Sequence, residues 1–164
     1  MHIHTPAVTF ADLPFGEQFV LWAMRLWTRG QHHGTLDHAT LRNGFKLAGA
    51  PAAHGDLDGL MTIITTAATG AIDIRGPQCR DISADEHHLM SVIAGFQRTG
   101  AAGSDLFDRR LPPTAKRLGM ERAKELANTL AKAGLNIRPR RPARPATKNC
   151  PPATRPIPGA PTFH

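Results

Sequence analysis

Tyrosine is absent from this 164-residue chain, cysteine occurs twice, and aromatic residues make up only 5% of the composition. The lack of Tyr removes one common general acid and one common interface side chain. No stretch approaches the roughly 18 consecutive apolar residues that a membrane span requires. The N-terminus also lacks the charged segment and apolar run of a secretory signal. These absences predict a soluble, cytoplasmic protein without a membrane partner.

The two cysteines are Cys79 and Cys150, and the second lies in a Pro-rich tail. A flexible tail is a poor place for a structural disulfide, because the bond needs a fixed distance between the two Cβ atoms. We therefore interpret both as free thiols, which agrees with a reducing compartment.

The sequence motifs of common catalytic sites are missing too. There is no Gly-rich phosphate loop, no Cys-x-x-Cys pair, no His-Glu-x-x-His and no Gly-x-Ser-x-Gly. No cofactor is predicted, and the chain is more readily interpreted as a binding protein than as an enzyme.

The net charge of +7 comes almost entirely from the C-terminal end. Residues 136–164 hold six Arg or Lys and no Asp or Glu, whereas residues 1–135 hold 14 basic and 13 acidic residues. Eight of the fourteen prolines also fall in residues 136–164. A segment so poor in large apolar side chains cannot offset the entropy of ordering, so we predict a disordered tail there.

Three interpretations of this tail stay open. Its arginines could hold an acidic protein partner or bind nucleic acid non-specifically; these residues are Arg138, Arg140, Arg141 and Arg144. Its Pro-x-x-Pro spacing could instead fit an aromatic groove of another protein, with Pro139, Pro142 and Pro145 as the repeated residues. The tail could also be inert and serve only solubility.

The most apolar segment, residues 15–27, contains four of the nine aromatic residues. At 100° per residue its apolar side chains cover more than half the circumference of a helix, more than one core-facing stripe needs. We predict that this helix is the core axis and that its surplus apolar surface forms an interface with a protein partner or with a second copy of the chain. The interface residues would be Phe15, Phe19, Trp22 and Trp27.

Caps and apolar periodicity predict the other helices. The first helix starts near Asp12 and ends at Gly30. The other helices are predicted at about residues 35–48, 56–69, 83–99, 104–110 and 121–133, with a separate turn at 113–118. Residues 71–75 alternate apolar and polar but fit an extended connector better than a strand. The predicted fold class is all-α, a single compact bundle of about five to six helices over residues 12–135. A flexible arm (1–11) precedes it and the disordered tail (136–164) follows.

The clearest local signal is the capping box at Ser83 and Glu86. Reactive side chains gather around this helix start, and Cys79 with His88 is an alternative candidate thiol or metal site. We expect His87 to face water. Because two or three ligands do not complete a structural zinc shell, the main prediction contains no metal.

The sequence thus favours a small helical binding or regulatory module that acts through protein contacts, with a basic tail for an acidic partner. An alternative is a DNA-binding regulator at residues 83–138. There, three helices followed by an extended segment have the order of a winged helix. The thiol or metal site is a second alternative.

Overall fold

A computed structural model describes residues 7–34 and 38–139, and over these residues the regular structure is helical without strands. After one 3-10 turn at Phe10–Asp12 come α1 (Phe15–His33), α2 (His38–Leu47), α3 (Ala53–Ala67), α4 (Ala84–Thr99), α5 (Asp105–Arg110) and α6 (Pro113–Lys132). The predicted all-α fold class is confirmed. None of the helices in this part of the chain is long and apolar enough to cross a membrane.

Helix α1 packs against α2, α3 and α4, but the most extensive packing between helices is that of α6 against α3 and α4. Its deepest side chains are Leu21, Met24 and Trp27, all essentially buried. The indole Nε1 of Trp27 donates to Oδ1 of Asp58 on α3 at 2.8 Å, which satisfies the polar atom of this buried ring.

The predicted end of α1 at Gly30 is wrong. The helix continues through this buried glycine for one more turn, and Gly34 takes the left-handed conformation (φ 63°) that ends it. Both glycines are possible C-terminal signals in the sequence. The helix start also differs from the prediction, because Pro14 rather than Asp12 occupies the N-cap position.

Helix α6 is longer than predicted, because the turn at 113–118 and the helix at 121–133 are one continuous element. Pro113 occupies the first helical position, where its missing N–H costs nothing. Gly119 does not interrupt the helix. A Cβ atom there would lie 3.3 Å from the ring of Phe107, so this glycine allows α5 to approach closely.

Helix α3 begins at Ala53, three residues before its predicted cap at Asp56. The carboxylate of Asp56 accepts a hydrogen bond from the hydroxyl of Thr129 on α6 at 3.1 Å. Asp56 therefore lies in the first turn of α3 and contacts α6 instead of capping its own helix. Helix α2 begins at His38, and the cap predicted at Thr35 lies outside the described residues.

The capping box of α4 forms as predicted, with the Ser83 hydroxyl and the Glu86 carboxylate each bonded to the backbone of the other. Residues 71–75 form none of the regular elements, and the N–H of Ile74 donates to the carbonyl of Ile72 at 3.1 Å, which makes a tight turn within this connector. The connector contacts the first turn of α4. The backbone N–H of Asp73 donates to Asp85 at 2.7 Å. His87 is buried, so the expectation that it faces water is wrong, because periodicity within α4 does not show which other parts of the chain pack against this helix.

The chain stays packed beyond α6. Gly134 is left-handed (φ 78°), and the backbone N–H of Leu135 donates to the carbonyl of Leu130 at 2.9 Å, which completes the predicted C-cap. Ile137 is buried, and its N–H donates to Gln97 on α4 at 2.8 Å. Tertiary contacts thus extend past the predicted boundary at 135; the rest of the predicted tail, from 140 onward, lies outside the described residues.

A buried ion pair joins the middle of α1 to the start of α4. Arg25 and Glu86 are both fully buried, and the guanidinium meets the carboxylate through two hydrogen bonds of 2.8 Å and 3.0 Å. The Glu86 carboxylate also accepts the backbone N–H groups of Arg75 and Ser83, each at 2.9 Å. Each carboxylate oxygen therefore accepts one bond from Arg25 and one from a backbone N–H, and Oε2 serves both the ion pair and the capping box.

Arg25 also binds the loop before α4. Its Nη atoms donate to the carbonyls of Cys79 at 2.6 Å and Asp81 at 2.7 Å. The ring of Phe10 lies 5.5 Å from the guanidinium carbon, and the N–H of Phe10 donates to the carbonyl of Arg80 at 2.9 Å. One arginine thus connects α1, α4, the preceding loop and the N-terminal turn.

Removing one partner of this ion pair should be costly. We expect Arg25→Met to lower the free energy of unfolding by about 3–5 kcal/mol, because it leaves the Glu86 charge buried and unpaired. The double variant Arg25→Met/Glu86→Gln should be more stable than the single variant, because no charge is left unpaired. Urea unfolding followed by circular dichroism measures both.

The exposed pair Arg122–Glu125, with side chains 50% and 56% exposed, supplies the control. Arg122→Met should cost no more than about 1 kcal/mol. Equal losses for Arg25→Met and Arg122→Met would contradict the importance of the buried pair.

Candidate functional site

An apolar groove opens between the first half of α1, the end of α2 and the segment that follows α6. Its volume is about 610 Å³, and no lining residue is charged. The lining consists of Phe10, Phe15, Gln18, Phe19, Trp22, Gly44, Leu47, Ala48, Ala133 and Leu135.

An aromatic row on α1 forms one wall of the groove. Phe15, Phe19 and Trp22 lie at spacings of four and three residues, so they share one helix face. The ring centroid of Phe19 is 6.1 Å from that of Phe15 and 5.7 Å from that of Trp22. Phe19 also meets the buried ring of Phe45 edge to face at 5.0 Å, which anchors the row to the core.

Gly44 sets the distance between α2 and this wall. A Cβ atom at this position would lie 2.9 Å from two atoms of the Trp22 ring, closer than real contacts allow. Only glycine lets the backbone of α2 come this close to the indole. In the sequence, Gly44 shows only as a residue of low helix propensity, because the ring that requires a glycine lies on another helix.

The rim of the groove is open to solvent. Phe15 is 65% exposed and Leu47 is 89% exposed, the two most exposed large apolar side chains of the described residues. Leu118 on α6, at 44%, is the third, and it lies outside the groove. In the described residues, Phe15 of α1 and Leu47 of α2 therefore remain exposed to solvent at the same groove.

The structure brings together three of the four predicted interface residues. Phe15, Phe19 and Trp22 line the groove, whereas Trp27 is 1% exposed and belongs to the core. Of the predicted tail residues, the structure describes only Arg138, which is not a lining residue of the groove. Arg138 is at the end of the described chain, where its N–H donates to the buried Glu17 of α1 at 2.8 Å, and Arg140, Arg141 and Arg144 lie outside the described residues.

The alternative candidate site at Cys79 and His88 has no free thiol, because the sulfur of Cys79 is in a disulfide bond. The interpretation of this residue as a free thiol is therefore wrong. The only other cysteine of the sequence, Cys150, lies outside the described residues. His88 is half-buried, and its Nδ1 has no hydrogen-bond partner. Over the described residues, no three His, Cys, Asp or Glu side chains come together as a metal site would require.

The order of helices behind the DNA-binding alternative is present, since α4, α5 and α6 follow one another and residues 135–138, which have no regular structure, come after them. These last residues pack on α4 and α1 through Gln97 and Glu17. Within residues 38–139 they have no strand to pair with, which a wing would need. DNA binding stays a prediction, without a geometric site in this part of the chain.

Comparison of the chain with protein families, with characterised proteins and with solved structures finds no match. A function therefore has to be inferred from the geometry of the groove.

Two histidines meet where α2 and α3 pack. The rings of His38 and His54 lie 5.8 Å apart, edge to face, and Nε2 of His54 is buried without a hydrogen-bond partner. Burial lowers the pKa of His54; nearby Asp58 opposes this shift, while His38 and Arg42 add to it. The folded state therefore resists protonation of this imidazole.

This histidine should make the protein less stable in acid. Because the pKa of His54 is lowered by folding, the unfolded chain takes up the proton first as pH falls below about 6.5, and stability declines with it. We expect His54→Gln to reduce the loss of urea resistance between about pH 7.5 and pH 5. The exposed His33, changed to Gln, should leave the loss unchanged; equal pH profiles for all three proteins would contradict this assignment.

The close approach at Gly44 can be tested against another helical glycine. A Cβ atom at Gly55 in α3 meets nothing within 4 Å, so Gly55→Ala should stabilise the protein by up to about 1 kcal/mol through helix propensity. Gly44→Ala should lack this gain and should shift the emission of Trp22, because the ring must move. Equal stabilisation by both variants, with unchanged emission, would show that the contact is not restrictive.

Proposed function

We propose that this chain is a non-enzymatic helical binding module that takes an apolar segment of a partner protein into the groove. The observation that carries the proposal is the aromatic row that lines the groove, in which Phe15 is exposed, Trp22 is half-buried and Phe19 is buried at the base, together with the exposed Leu47 on α2. Contiguous exposed apolar surface is uncommon on monomeric proteins and marks interaction sites. Aromatic side chains in particular supply much of the binding energy at protein interfaces.

The chemistry of the groove favours a protein segment over a small molecule. Small-molecule sites enclose most of their ligand and orient it with several converging polar groups. Here Gln18 is the only lining residue with a polar side chain apart from the indole of Trp22. Its amide already donates to the carbonyls of Phe10 at 3.1 Å and Ala11 at 3.3 Å. An open, apolar surface with few directional groups suits side chains of another polypeptide.

We propose the same partner, the same role for the basic tail and the same compartment as the sequence predicts. The partner is another protein or a second copy of this chain, and the basic tail adds contacts to an acidic surface. The proposed compartment is the cytoplasm, although the disulfide at Cys79 removes one of the observations on which that location depended.

A displayed library of random peptides, selected against the full-length protein, tests the groove. We expect enriched peptides rich in aromatic and aliphatic residues. Their binding should be lost in Phe15→Ser/Leu47→Ser, because this change removes the exposed apolar rim. Titration by fluorescence anisotropy measures the affinities.

The matched control is Leu118→Ser, which changes an exposed leucine on α6 outside the groove. This variant should bind the selected peptides as the wild type does. Peptides that bind the rim variant and the wild type equally would contradict the proposal.

A further inference from the structure

We propose that residues 151–163 of this same chain occupy the groove when no partner is bound. This inference rests on the proposed function, since it names a segment that fits the same apolar surface. The segment would act as an internal competitor that a partner must displace.

The charge of the C-terminal region singles out this segment. The groove offers no charged side chain to pair with a cation. Residues 138–148 contain five basic residues, whereas residues 151–163 contain one, Arg155. Burying unpaired cations against apolar rings is costly. The second part of the tail therefore matches the groove, and the first part does not.

The composition of residues 151–163 also suits an aromatic wall. The segment holds five prolines, and Ile157 and Phe163 are its large apolar side chains. Proline-rich segments favour the polyproline II conformation, which binds aromatic-lined grooves at a low entropic cost because the chain is already restricted. The row that ends at Trp22 presents flat rings of the kind such segments contact.

The chain is long enough to return to the groove. The described residues end at Pro139, only four residues after Leu135, which itself lines the groove. Residues 139–150 span up to about 37 Å at about 3.1 Å per residue in polyproline II. This length is several times the diameter of a helix, about 10 Å, so the segment can reach the groove without displacing α6.

The disulfide of Cys79 supports the same placement. Since Cys150 is the only other cysteine, a bond closed within one chain brings residue 150 to the loop before α4. That loop borders the groove, because the carbonyl of Arg80 accepts the N–H of Phe10 and Phe10 is a lining residue. Residues 151–163 would then begin at the edge of the groove.

Quenching of tryptophan fluorescence by acrylamide tests the proposal in the full-length protein. The chain has two tryptophans, and Trp27 is buried, so changes in quenching report on Trp22. We expect Trp22 to be protected in the wild type. In Ile157→Asp/Phe163→Asp this protection should be lost and the emission should shift to longer wavelength, because the segment no longer covers the ring.

The control variant is Ala143→Asp/Ala146→Asp, which adds the same charge to the tail outside the proposed segment. It should retain the protection of the wild type. Equal quenching of the wild type and Ile157→Asp/Phe163→Asp would overturn the proposal, and so would protection that rises with protein concentration, since that result indicates a second copy.

Failure of this inference would leave the proposed function intact, because selected peptides would still depend on Phe15 and Leu47. If no peptide is selected but Trp22 is protected in the wild type, the proposed function would fail and the inference about residues 151–163 would stand. The groove would then serve the chain's own segment and not a partner.

Discussion

The ion pair between Arg25 and Glu86 is the interaction on which the arrangement of the other elements depends. Both charges are fully buried, and such a pair is tolerated only when nearly every polar atom has a partner. The surrounding bonds meet that condition by drawing in the carbonyls of the loop before α4 and the N–H groups of Arg75 and Ser83. The pair thereby fixes how α1 lies against α4, and Phe10 above it places one edge of the groove.

The groove follows from the distribution of apolar side chains on α1. This helix is apolar around more of its surface than the neighbouring helices cover, and Leu21, Met24 and Trp27 take the positions in the core. The aromatic row on its first half is left between α2 and the chain after α6. A helix built for the core alone would not need this second face, which is why we connect it with binding.

Local signals in the sequence predicted the parts that local contacts stabilise. The capping box of α4 and the left-handed glycines at Gly100 and Gly134 involve residues near one another in the chain. The prediction was wrong at Gly30, where it ended α1, and before residue 121, where it divided α6 into a turn and a separate helix. At both places tertiary packing compensates for weak helix propensity within a continuous helix, and propensity is only a weak guide in that situation.

The sequence by itself determined the all-α class, the charge difference between the main part of the chain and its tail, and the aromatic row of Phe15, Phe19 and Trp22. Only the tertiary structure decided that this row lines a groove while Trp27 enters the core, and that Arg25 is buried opposite Glu86. The one sequence signal for Arg25 was its position as the single charged residue of the apolar run 19–27. The reason is physical: periodicity describes one helix at a time, whereas burial and pairing depend on residues that are distant in sequence and meet only when the helices pack.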